Sequence, residues 1–142
     1  MRKIDYIKPI IGVLSSILLL CSCEISGEDG PSDEKSATKS LCKYWWIADS
    51  LDYDGTTIRQ QFVFSADSTG SEIITRTKVG EMTTSKEYFF NWYWESDSYR
   101  SIGIKYGKNN IIFMDEIFIT DNVLTCFMDG SNLTFYGQEA EY

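Results

Sequence analysis

Histidine, the residue that most often acts as a general base or metal ligand near neutral pH, is absent from this 142-residue chain. Without it, no serine or cysteine has the usual base that would activate a nucleophile. A lysine could replace that base, but the candidates lie near the ends of predicted strands, where side chains are normally exposed. They are Lys43, Lys86, Lys105 and Lys108. The four cysteines form no Cys-x-x-Cys pair, which excludes zinc-ribbon and thioredoxin-type sites. The sequence therefore predicts no enzyme, no metal site and no cofactor.

Two groups of carboxylates have spacings that could suggest a glycosidase pair or a calcium loop. Asp115 and Glu116 are adjacent, and adjacent residues on a strand point to opposite faces, so they cannot flank one glycosidic bond. They predict a solvated edge or a β-bulge. The turn 52–55 resembles part of a calcium loop, yet the first and last ligand positions would be Ser50 and Gln61, which lack carboxylates. A hairpin turn is predicted there.

The aromatic run between residues 88 and 94 is the most unusual feature of the chain. Side chains alternate along a strand, so four of these rings share one face. Either the rings fill a core, or they are exposed and form a platform on which a sugar or an apolar ligand stacks. The candidate ligand-binding residues are Tyr88, Phe90, Trp92 and Trp94.

The charge of the chain is distributed unevenly. Residues 1–22 carry three of the 13 Lys and Arg and one of the 21 Asp and Glu, which leaves a formal charge of −10 on the rest. Such an acidic surface repels phosphate backbones and anionic lipid head groups. Nucleic acid is therefore excluded as a partner.

The first 22 residues have the features of an export signal. Arg2 and Lys3 precede an apolar run, 9–20, which as a helix would span about 18 Å and is too short for the roughly 30 Å hydrocarbon core. The segment that follows, Leu-Cys-Ser-Cys ending at Cys23, resembles the lipobox of bacterial lipoproteins. Ser22 satisfies the requirement for a small residue before the modified cysteine. The resemblance implies a signal peptide at 1–22, lipid on Cys23, and a place in the cell envelope on the outer membrane.

Residues 23–40 are predicted to be the lipidated cysteine and a flexible tether. From residue 24 onward the segment is rich in Gly, Ser, Asp, Glu and Lys, and it cannot bury enough apolar surface to offset the entropy of ordering. Its acidic start, Glu24, Glu28 and Asp29, resembles signals that route lipoproteins to the cell surface. A soluble linker explains the same residues, so the periplasmic and the surface-exposed faces both stay open.

Residues 41–142 are predicted to form one all-β domain. Short runs of aromatic and β-branched residues alternate with Gly, Asn, Asp and Ser clusters that are too short to contain crossover helices. Neighbouring strands must then pair antiparallel, and closure into an eight-stranded up-and-down barrel removes both exposed edges. The predicted strands are 43–51, 57–65, 71–78, 86–95, 99–106, 110–119, 122–128 and 131–137.

The domain opens with Leu41 and Trp45, continues through an apolar strand at 60–64 into the turn 66–70, and later carries Trp in the pair 91–92. This pattern resembles that of the small lipocalin-like domains of exported bacterial lipoproteins. The resemblance implies an up-and-down barrel and implies no activity, because such folds host many roles.

Two classes of function remain open for the domain. One is a non-catalytic binding module, tethered to the membrane by its lipid, for a small apolar ligand or a glycan. The other is a structural or interaction subunit that binds an envelope protein. Residues 41–137 contain 19 aromatic residues, so we expect a largely filled barrel, with any pocket confined to one mouth and lined by Trp and Tyr.

Cys42 and Cys126 are the two cysteines of the predicted domain. In an eight-stranded meander the first strand neighbours only the second and the eighth, whereas Cys126 lies in the seventh. Cysteines whose Cα atoms are more than about 7 Å apart cannot be bridged. Two free thiols are predicted.

The lipidation site is tested by replacing each leader cysteine in turn. Cys23→Ala should release the protein from membranes because the acyl chains are lost, whereas Cys21→Ala should leave it attached. Membrane fractionation after a high-salt wash measures this. A Cys23→Ala variant that remains with the membrane would show that the assignment is wrong.

Overall fold

The structure is a computed structural model, and it describes residues 33–140. The predicted signal peptide and Cys23 lie outside the described residues. Within 33–140 one helix precedes eight strands. The helix is α1 (Glu34–Cys42), and the strands are β1 (Tyr44–Leu51), β2 (Thr57–Phe64), β3 (Thr69–Thr77), β4 (Thr84–Trp94), β5 (Ile102–Lys105), β6 (Ile111–Thr120), β7 (Val123–Met128) and β8 (Ser131–Glu139).

The strands close into the predicted eight-stranded antiparallel up-and-down barrel. Each strand pairs with its neighbours in sequence, and β1 also pairs with β8, where Ile47 lies opposite Tyr136. Closure satisfies both edges of the sheet with hydrogen bonds. The largest difference from the predicted strands is β5, which begins at Ile102 because residues 99–101 belong to a loop.

Helix α1 corrects the prediction of a flexible tether through residue 40. Asp33 begins the helix, and its carboxylate accepts a hydrogen bond from the Ser36 N–H at 2.9 Å. Ala37 and Leu41, one turn apart, are both buried. Their burial against the barrel stabilises a helix that is too short to persist alone. The folded unit therefore begins at Asp33 rather than at Leu41.

Aromatic rings occupy the centre of the barrel, as predicted. The ring centroid of Phe62 lies 5.6 Å from that of Phe135 and 6.2 Å from that of Phe90. Phe64 continues the stack, with its centroid 5.5 Å from that of Phe90. These contacts have the tilted and edge-to-face geometries that aromatic pairs prefer. A ligand therefore has no room at the level of these rings.

Glycines admit large rings on both faces of the wall. A Cβ atom at Gly70 would overlap the Phe90 ring inside the barrel. Gly103 leaves no gap, because the ring of Tyr93, its partner on β4, covers it on the outer face. The aromatic packing therefore requires glycine at both positions.

The inward and outward faces of β4 are tested by two adjacent phenylalanines. Phe90 is 4% exposed and Phe89 is 74% exposed. Phe90→Ala should reduce the free energy of unfolding by about 3–5 kcal/mol because it leaves a cavity in the core. Phe89→Ala, the matched control, should change it by less than about 0.5 kcal/mol. Denaturant titration measures both, and similar losses would contradict the register.

Candidate functional site

The four candidate residues on β4 share the inward face, but they do not form one exposed platform. Phe90 and Trp92 are buried in the core. Tyr88 lies near the far end of the barrel and is 43% exposed. Trp94 is half-buried at the end where α1 lies. Phe90 borders a concavity of about 460 Å³, which includes Lys105 and Gly107. Trp92 and Trp94 together line a different concave surface.

That surface is a pocket of about 310 Å³ at the end of the barrel closed by α1, here called the mouth pocket. Its walls come from α1, the β2–β3 turn, the end of β4 and the loop that follows β4. It agrees with the predicted Trp- and Tyr-lined mouth, but the barrel has other concavities as well, so the prediction that any pocket is confined to one mouth is wrong. The residues important for its chemistry are Glu34, Thr38, Trp92, Trp94, Asp97 and Tyr99.

Two indole N–H groups attach α1 to the barrel. Trp46 Nε1 donates to the Leu41 carbonyl at 2.7 Å, and Trp94 Nε1 donates to Thr38 Oγ1 at 3.1 Å. The carbonyl of Leu41 is in the last turn of the helix, where carbonyls lack an intrahelical donor. The barrel thus completes the hydrogen bonding of the helix, and the helix in turn forms one wall of the mouth pocket.

Three aromatic rings, each roughly perpendicular to the next, form the wall of the mouth pocket that faces α1. Trp92 and Trp94 have centroids 5.6 Å apart and planes at 89°, and Trp94 and Tyr99 have centroids 5.7 Å apart and planes at 80°. Trp92 is fixed by its Nε1, which donates to the Ser65 carbonyl at 3.0 Å. The rings therefore have defined orientations before any ligand binds.

Tyr99 is held in place by a bulge in the neighbouring strand β6. The register of β6 shifts between Asp115 and Phe118, which leaves Ile117 free to pair with the loop. Arg100 and Ile117 exchange two hydrogen bonds, Ile117 N–H to the Arg100 carbonyl at 2.8 Å and Arg100 Nε to the Ile117 carbonyl at 2.7 Å. The acidic pair Asp115-Glu116 therefore lies at a bulge, which is one of the two alternatives that the sequence left open.

The backbone of Tyr99 has a φ of +56°, in the left-handed region that bulky residues rarely adopt. This conformation costs roughly 1–2 kcal/mol for a residue with a side chain. Strained residues of this kind are concentrated at binding and catalytic sites. In this backbone conformation the Tyr99 ring packs against Trp94.

The mouth pocket has an anionic lining. Glu34 and Asp97 supply two carboxylates, and among the described residues that line the pocket none is Lys or Arg. The nearest arginine in the loop, Arg100, has its guanidinium 5.8 Å from the ring centroid of Phe118 and bonded to Ile117. The pocket is therefore rich in hydrogen-bond acceptors.

A second polar cluster lies on the inward face of the barrel wall. Glu72 accepts hydrogen bonds of 2.6 Å from the Tyr106 hydroxyl and from Gln60 Nε2. Burial, followed by the bond to Glu72, raises the pKa of Tyr106 above its usual value. Tyr106 therefore stays protonated and acts as a donor, so the cluster satisfies a carboxylate rather than supplying a base.

Sequence reasoning did not identify Glu34, Thr38, Asp97 or Tyr99 as site residues. A signal for the helix existed, because Asp33 can cap it and Ala37 and Leu41 have helical spacing. Tyr99 gave no such signal, because its position depends on a bulge in a strand that is distant in the sequence.

No protein family model, no curated protein and no solved structure matches this chain. Cys23, the predicted lipidation site, lies outside the described residues. Within residues 33–140, no helix is long and apolar enough to cross a membrane. The geometry of the mouth pocket is therefore the main guide to function.

Cys42 and Cys126 are free thiols, as predicted, and Cys126 is buried. Burial, with a smaller contribution from Asp67, raises the pKa of Cys42 to about 11. Burial, with a smaller contribution from Asp115, raises the pKa of Cys126 to about 12. Both thiols are protonated at neutral pH and are poor nucleophiles.

These thiols should react slowly with iodoacetamide in the native protein at about pH 8, because only the thiolate reacts. After unfolding without reductant, the peptides that contain Cys42 and Cys126 should each gain one adduct by mass spectrometry. Unmodified peptides would indicate a disulfide.

The raised thiol pKa values also predict how stability depends on pH. Above the ordinary thiol pKa of 9.0, the thiols ionise in the unfolded chain but stay protonated in the folded one. The free energy of unfolding should therefore fall between about pH 9 and about pH 12, which denaturant titration at several pH values measures.

Proposed function

We propose that the chain is an exported lipoprotein, anchored to the outer membrane through Cys23, whose barrel is a non-catalytic module that binds a glycan in the mouth pocket. The leader supports the anchoring, since its apolar run ends at a small residue and a cysteine. The observation that carries the binding function is the mouth pocket itself, in which perpendicular Trp and Tyr rings adjoin carboxylates.

A sugar has the surface that this pocket complements. The apolar C–H face of a pyranose can stack on Trp94 or Tyr99, while its hydroxyl groups donate to Glu34 and Asp97. The volume of about 310 Å³ is at the lower limit for ligand sites, which are roughly 300–1,000 Å³. It therefore suits a single sugar unit or the end of a longer glycan.

A wholly apolar ligand is a poorer match. It would remove water from two carboxylates without replacing their hydrogen bonds, and this desolvation is costly. The centre of the barrel, where an apolar ligand would be sheltered, is occupied by Phe62, Phe90 and Phe135.

The outer wall supports a second candidate, interaction with an envelope protein. Tyr93, Gly103 and Phe113 are register partners across β4, β5 and β6, so their outward positions form one row. Phe113 and Tyr136 are exposed on this barrel, and exposed aromatic residues are enriched at protein interfaces. This surface does not require the mouth pocket.

The glycan function is tested by titrating the full chain, purified in detergent, with glucose and N-acetylglucosamine. The indole N–H signals in a two-dimensional ¹⁵N spectrum report the site. Saturable shifts are expected for Trp92 and Trp94, which line the pocket. No shift is expected for Trp45, which lies on the face of β1 opposite to that of the buried Trp46.

Tyr99→Ala should abolish these shifts, because it removes one ring of the pocket. Tyr136→Ala, which removes an exposed ring from the outer wall, should preserve them. If no sugar shifts the Trp94 signal at tens of millimolar, the glycan proposal is wrong and the second candidate takes its place.

A further inference from the structure

We infer that the ligand of the mouth pocket carries a protonated amine, an inference that rests on the binding function proposed above. Two carboxylates, Glu34 and Asp97, line the pocket, and the described lining residues include no lysine or arginine. An anionic ligand such as a uronic acid or a phosphate would be repelled. A neutral sugar would use the acceptors only through its hydroxyl groups.

The two indole N–H groups of the pocket are already bonded within the protein, and the remaining side-chain donors are hydroxyl groups, which also accept. The indole N–H of Trp92 is bonded to the Ser65 carbonyl, and that of Trp94 is bonded to Thr38 Oγ1. Ser96 Oγ accepts from the Arg100 backbone N–H at 3.3 Å and lies 3.2 Å from Ser98 Oγ. Because the two carboxylates only accept, an ammonium group, which has three donors and no acceptor, complements them.

The aromatic wall attracts the same chemistry. The faces of Trp and Tyr rings carry negative potential, and cations bind over them within about 6 Å of the centroid. Because Trp94 and Tyr99 are nearly perpendicular, with planes at 80°, a small cation beside them meets two ring surfaces from different directions. Carboxylates next to aromatic rings form the kind of cage that recognises organic ammonium groups.

The cations nearest in sequence do not neutralise this site. Arg100 is directed to Ile117 and Phe118. Lys35 and Lys39 on α1 line a neighbouring concavity that Glu34 and Thr38 also border. Among the described residues, no ion pair joins either lysine to Glu34. The carboxylates thus remain available to a cationic ligand.

Four related monosaccharides test the inference: two differ from glucose only at C2, and glucuronate differs from it only at C6. Glucosamine, glucose, N-acetylglucosamine and glucuronate are titrated against the full chain in detergent at about pH 6, where the amine is protonated. The Trp94 indole signal gives each dissociation constant. Glucosamine should bind roughly 2- to 30-fold more tightly than glucose, the factor expected from two exposed charge pairs. Glucuronate should bind most weakly.

Charge dependence supplies the controls. The ratio of glucose to glucosamine dissociation constants should approach one in Glu34→Gln combined with Asp97→Asn, and should fall in about 0.5 M NaCl, where the screening length is a few ångströms. Glu87→Gln removes one charge from the outward face of β4 and should preserve the ratio. A ratio that the pocket variants leave unchanged would overturn the inference.

The outcomes separate this inference from the glycan proposal. Equal binding of glucosamine and glucose would overturn the amine preference and leave the glycan function standing. Ethanolamine distinguishes the sources of the amine: binding equal to that of glucosamine supports the inference, and directs attention to an amine lipid head group instead of a sugar. Vesicles with phosphatidylethanolamine in place of phosphatidylcholine then test that source. No binding by any of the amines would overturn the inference.

Discussion

The hydrogen bond from Trp46 Nε1 to the Leu41 carbonyl joins the helix to the barrel, and the mouth pocket depends on it. Both residues are buried, so an unpaired N–H or carbonyl at this point would be costly. The bond fixes the last turn of α1 against the start of β1. The first turns of the helix, with Glu34 and Thr38, then lie at the rim. Without this bond one wall of the pocket would lose its position.

The barrel could be predicted from the sequence because its determinants are local. The alternating aromatic residues and the turn clusters specify antiparallel neighbours, and closure follows from the need to remove free edges. The helix was missed because the polar composition of 33–40 conceals Ala37, whose burial depends on the finished barrel. Asp97 and Tyr99 were missed because the loop 95–101 is shaped by its bonds to Ile117, a residue on another strand. The local sequence pattern instead predicted a strand that begins at residue 99.

The aromatic residues of β4 show how one strand can serve two purposes. Phe90 and Trp92 fill the core, and the same alternation continues to Trp94, which emerges at the mouth pocket. The register that stabilises the fold therefore also positions the site. Substitutions that shift this register would damage stability and binding together, which is why the matched pair Phe89 and Phe90 is informative.

Glu34, at the rim of the pocket, comes one residue after the point where the chain enters the folded unit. Ten peptide units separate Cys23 from Asp33, and an extended chain of that length spans at most about 33–36 Å. With Cys23 anchored as proposed, Asp33 cannot lie farther than this from the bilayer surface, and Glu34 of the mouth pocket is the next residue. A ligand displayed on the same membrane would meet the pocket at a high effective concentration, in the millimolar range for short linkers. Weak intrinsic affinity would then be sufficient for occupancy.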